Sequence, residues 1–79
     1  MAMRAEDIER LIKAHLPDAE VIIQDLAGDG DHYAATVLSE AFRGKSAVAR
    51  HRMIYEALGD LMKHDIHALK IEAHAPGQS

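Results

Sequence analysis

A chain of 79 residues is enough for one domain, and a domain of that size buries only about 60% of the surface its unfolded chain exposes, so a deep cleft between lobes is excluded. The composition, 48% hydrophobic and 28% charged, is that of a globular protein, and a net charge of −4 opposes non-specific nucleic-acid binding by the whole surface. Cysteine is absent, which removes disulfides, cysteine-based zinc sites and thiol catalysis from the chain's own chemistry.

Along the chain, Ile8, Leu11, Ile12 and Leu16 recur at helical spacing and predict an amphipathic helix from about Ala5 to His15. Pro17 ends it, because the residue before a proline avoids the α region. Glu20 to Leu26 is β-branched and reads as a strand, and Ala27 to Asp31 is a glycine- and aspartate-rich turn. His32 to Ser39 reads as a second strand, with Tyr33, Ala35 and Val37 on one face, so the pair predicts a hairpin. After a short connector with one helical turn (Glu40 to Lys45), Ser46 is the expected N-cap of a helix reaching about His64. Its expected inward stripe is Val48, His51, Tyr55, Leu58 and Met62, reinforced by Ile54 and Leu61, with Gly59 inside it at a cost of ~1 kcal/mol relative to alanine. Ile66 to Ala73 reads as a third strand with Leu69, Ile71 and Ala73 on one face, and residues 75–79 as a frayed tail. The expectation is an α+β domain over residues 1–79. Its order is α-β-β-α-α-β, with a three-stranded mixed sheet and the helices packed on one face.

Six histidines stand out in so short a chain. His67 falls, by alternation, on the face of Leu69 and Ile71 at the start of the third strand, where a ring held by packing suits a metal ligand or a structural hydrogen bond. His32 follows the Gly-Asp-Gly-Asp turn, either as a second ligand or as a solvated turn residue; spacing does not establish that His32 and His67 meet. His15 and His64 end helices, where a cation favours the dipole. His51 reads as a packing residue and His74 as solvated. No HExxH run, calcium loop, nucleophile or paired acid and base is present, so an enzyme is not expected. Arg43, Lys45, Arg50 and Arg52 form a basic stretch with no acidic residue between Ala41 and Tyr55, suited to an acidic partner, a ligand's carboxylates or nucleic-acid phosphates, or else a solvated helix start. No apolar run approaches the ~20 residues of a membrane span, and Met1 to Asp7 lacks the apolar core of a signal peptide. A cytoplasmic location is therefore the expectation.

The segments Phe42-Arg-Gly-Lys-Ser46 and Val48-Ala-Arg-His-Arg-Met-Ile-Tyr55 resemble the central signature of the BolA family. Asp65-Ile-His-Ala-Leu69 resembles its C-terminal signature, and Gly-Asp-Gly-Asp-His32 its variable metal-site loop. The resemblance runs from about Ile8 to Ala73. It implies a fold similar to the class II KH domain. It also implies partnership with a monothiol glutaredoxin, in which a [2Fe–2S] cluster bridges the two proteins. The glutaredoxin and glutathione would supply thiolates, and this chain imidazoles from His67 and His32; the isolated chain would hold no cofactor and be a monomer. The lack of cysteine is consistent, since two histidines can replace two cysteines on one iron of such a cluster.

The resemblance also implies an alternative, a nucleic-acid-binding transcriptional regulator with DNA as partner. A KH module clamps the backbone with a GXXG loop, whereas Phe42-Arg-Gly-Lys-Ser-Ala has one glycine.

Overall fold

The computed structural model describes residues 4–26, 28, 32–59 and 68–77. The elements are α1 (Ala5–His15), β1 (Glu20–Asp25), β2 (His32–Leu38), a single 3-10 turn (Glu40–Phe42), α2 (Ala47–Leu58) and β3 (Ala68–His74). In α1, Ile8 and Ile12 are buried one turn apart, Glu6 and Asp7 lie in the first turn, and Lys13 and His15 in the last, each charge favourable to the helix dipole. Leu16 leaves the α region at φ −126° immediately before Pro17.

The sheet order is β1-β2-β3. β1 is antiparallel to β2, and β3 returns parallel to β2 after the α2 crossover. The register aligns Val21, Val37 and Ala73 across the three strands, then Ile23, Ala35 and Ile71. Because side chains alternate along a strand, these rows share one face, with Tyr33 beside Leu69 in the next. Ile8 and Ile12 of α1, Ile54 and Leu58 of α2, and Phe42 join them in one core. Both helices thus cover one face, as expected for the α+β arrangement. The opposite face carries Ile22, Gln24, Ala34, Thr36, Lys70 and Glu72, and Ile22 is 65% exposed.

Three details of the expectation change. The inward face of α2 is Ile54 and Leu58, with Met53 partly buried against the core, whereas Val48 and Tyr55 are 67% and 42% exposed. On a helical wheel Ile54 and Leu58 lie about 40° apart and Val48 lies some 80° beyond Leu58. One broad apolar arc therefore offers two stripes, and packing selects the one containing Ile54. Gly59 is not inside α2; it closes the helix at φ +56°, its N–H donating to the Tyr55 carbonyl at 2.9 Å. A positive φ is open to glycine at little cost, so the expected penalty does not arise. Residues 60–64, with Leu61 and Met62, lie outside the described set. After β3, Ala75 is fully buried and the Pro76 carbonyl accepts a hydrogen bond from Arg43 at 2.8 Å, so these two residues depart from the frayed tail expected there.

Ser39 ties the far end of the sheet together. It is fully buried. Its N–H donates to the His74 carbonyl at 3.0 Å, its hydroxyl donates to Asp18 Oδ1 at 2.7 Å, and that hydroxyl accepts from the Ala41 N–H at 3.2 Å. Asp18 Oδ2 also accepts from the Glu40 N–H at 2.9 Å. The Ser39 hydroxyl, and then the Glu40 amide, hold the Asp18 carboxyl below the usual carboxylate range.

A lowered carboxyl pKa in the folded state contributes stability above the unfolded value, and that contribution is lost as pH falls through the lowered one. Asp18→Asn should therefore destabilise the chain at neutral pH, and the gap to the unaltered chain should close as pH falls below about 4. Ser39→Ala, which removes the capping hydroxyl, should cost about 1 kcal/mol. Urea unfolding at pH 7 and pH 3 checks both.

Candidate functional site

The parallel pairing brings the starts of β2 and β3 together at one end of the sheet: His32 pairs in register with Ala68. His32 is held there by the ladder, its carbonyl accepting the Leu26 N–H at 2.8 Å, and the residue is half-buried. Asp25, beside it on β1, accepts the Gly28 N–H on Oδ1 at 2.9 Å, an aspartate turn of the kind expected at the mouth of this hairpin. His67, the other expected ligand, lies outside the described residues, as do Asp29 and Asp31. Among the described residues no three His, Cys, Asp or Glu side chains converge as a metal centre. A metal or cluster held at this end therefore takes further ligands from outside that set or from a partner. The donor chemistry fits an iron–sulfur group only in that shared form, since imidazole is present and thiolate is absent. His51 is half-buried in α2, and His74 is half-buried, less solvated than expected, at the other end of β3.

The basic stretch does not act as one patch. Arg43 forms a two-pronged pair with Glu40, Nε to Oε2 at 2.7 Å and Nη2 to Oε1 at 3.0 Å, and also donates to Pro76 O. That pairing lowers the Glu40 pKa and raises that of Arg43. Arg50 donates through Nε to the Lys45 carbonyl at 2.9 Å and through Nη1 to the Ala73 carbonyl at 3.0 Å. Arg43 and Arg50 thus fasten the connector and the start of α2 to the end of β3. Lys45 and Arg52 are exposed and form no side-chain hydrogen bond or ion pair among the described residues. Spacing along the sequence could not separate these two pairs, because the partners of Arg43 and Arg50 on and after β3 are 33 and 23 residues away.

Arg50→Ala leaves two backbone carbonyls without a charged donor and should destabilise the chain by about 1–3 kcal/mol. Arg52→Ala should change stability by less than about 0.5 kcal/mol. Paired urea titrations of the two variants measure the contrast.

The chain matches the model of the BolA-like protein family over residues 8–78. It is 33% identical to an uncharacterised protein of Rickettsia prowazekii over 72 residues, covering 91% of this chain and 94% of that one. The solved BolA domain of SufE1 from Arabidopsis thaliana superposes with a TM-score of 0.85 at 36% identity, covering 100% of this chain and 99% of that one. A Vibrio cholerae protein named DNA-binding transcriptional regulator BolA is 43% identical over 47 residues, 60% of this chain and 44% of that one. The chain spans less than half the length of several curated relatives it matches. The family model spans all the described elements from the first turn of α1 to the end of β3, and the chain belongs to the BolA-like protein family.

Proposed function

We propose that this chain is an iron–sulfur adapter that binds a monothiol glutaredoxin and shares a bridging [2Fe–2S] cluster with it, His67 being the principal ligand from this side and His32 the second. The observation that carries this reading is the register of β2 with β3. His32 pairs with Ala68, and one peptide bond, about 3.8 Å between Cα atoms, tethers His67 to Ala68. His32 is thereby brought beside the residue that follows His67 in the chain. The glutaredoxin and its glutathione supply the thiolates this chain lacks. Neutral imidazole ligands raise a cluster's potential relative to thiolate and leave one side of it open to protonation. The chain contributes ligands and a docking surface and no catalytic group, consistent with an adapter acting in the cytoplasm.

The second reading is a nucleic-acid-binding regulator. Its support is the name of the Vibrio relative and the exposed Lys45 and Arg52. Against it stand the net charge of −4 and the internal use of Arg43 and Arg50, which leaves two of the four expected phosphate contacts.

Mixing the chain with a [2Fe–2S]-loaded, glutathione-bound monothiol glutaredoxin should give a new visible absorption and circular-dichroism spectrum at one-to-one stoichiometry. His67→Ala should abolish it and His32→Ala should weaken it. An unchanged spectrum with the unaltered chain rejects the ligation. Duplex DNA binding that falls with salt, and is lost on reversing the charge of Arg52, would instead favour the regulator.

A further inference from the structure

The outward face of α2 carries an unusual combination. Val48, Arg52 and Tyr55 stand at i, i+4 and i+7, one stripe along the helix. Val48 and Tyr55 are half of the exposed large hydrophobics among the described residues, at 67% and 42% exposure. Arg52 between them is exposed and has no charged or hydrogen-bonding partner among those residues, and Lys45, likewise exposed, sits two residues before the helix start. The only carboxylate along α2 is Glu56, to one side of the stripe. In a chain of net charge −4, two of the described cations that form no side-chain hydrogen bond or ion pair, Lys45 and Arg52, therefore lie along its apolar helix surface.

We infer that the Val48–Arg52–Tyr55 stripe is the docking surface for the protein partner, and that it fits a partner face with an apolar centre edged by carboxylates. This rests on the adapter reading, in which the occupant is the glutaredoxin. Charge complementarity selects that chemistry. A carboxylate meeting Arg52 is oriented by two parallel hydrogen bonds, while Val48 and Tyr55 lose water on either side, the pattern of an interface with an aromatic and an arginine anchor. Nucleic acid would use the two cations but gain little from Val48. The topology aims the stripe at the cluster end. α2 starts beside the C-terminal end of β3, where Arg50 holds the Ala73 carbonyl, and runs for 12 residues before the chain returns to the start of β3. Val48 and Tyr55 are about 10 Å apart along the axis, with Tyr55 nearer the end where His32 sits. Docking and ligation thus use different residues.

The test is binding of glutathione-bound, cluster-free monothiol glutaredoxin, by calorimetry, to the unaltered chain and to Val48→Asp, Arg52→Glu, Tyr55→Ala, Ile22→Asp and His67→Ala, each checked for unchanged far-ultraviolet circular dichroism. Val48→Asp adds a charge in the first turn of α2 that the helix dipole favours, so folding should survive it. The stripe variants should each weaken binding tenfold or more. Ile22→Asp, on the open sheet face, should stay within twofold. His67→Ala should keep cluster-free binding while losing the cluster spectrum. Raising salt from 50 to 500 mM should weaken the unaltered chain several-fold and Arg52→Glu much less. Stripe variants that bind within twofold of the unaltered chain overturn the stripe and leave the adapter reading standing on the His67→Ala spectrum. Absence of glutaredoxin binding by the unaltered chain overturns both. Loss of duplex DNA binding in Arg52→Glu without loss of glutaredoxin binding reassigns the stripe to nucleic acid and overturns the proposal.

Discussion

The parallel pairing of β2 with β3 is the constraint on which the rest of this molecule depends. A parallel return needs a crossover, here the 3-10 turn and α2, and that crossover delivers the second helix to the face already covered by α1. The same pairing puts two strand starts side by side at one end of the sheet and two strand ends side by side at the other. A hairpin return would have carried β3 back the opposite way and parted His32 from the segment that leads into Ala68.

The two ends are built differently. At the strand ends, buried Ser39 bonds to Asp18, Ala41 and the His74 carbonyl, while Arg43 and Arg50 hold the carbonyls of Pro76 and Ala73. Every tie there is closed on a partner within the chain. At the strand starts, the ladder is extended by the Leu26 N–H donating to the His32 carbonyl, and Asp25 accepts the Gly28 N–H in a turn. The fastened end keeps the register, and under the proposed reading the other end is the one that would present ligands.

Much of this was legible in the sequence because it is local. The bounds of α1, the hairpin, the Ser46 cap and the alternation of Tyr33, Ala35 and Val37 follow from periodicity and capping within a few residues. What was not legible depends on contacts across the fold. The apolar arc of α2 admits two stripes, and only docking against the sheet shows that Ile54 and Leu58 turn inward while Val48 and Tyr55 turn out. Four basic residues look equivalent until β3 lies beside α2 and claims Arg50. That His32 lies beside the start of β3 likewise depends on the β2–β3 register, which no spacing in the sequence encodes.

The most direct test of the account is the identity of the atoms on iron. The chain, labelled with 15N only in histidine, is combined with unlabelled [2Fe–2S] glutaredoxin and glutathione, and the reduced cluster is examined by pulsed electron paramagnetic resonance. The account predicts 15N hyperfine coupling of the strength expected for directly bound imidazole, removed by His67→Ala and reduced by His32→Ala. A cluster that forms in the complex but shows no such coupling would mean that this chain docks without ligating, and would contradict the central claim.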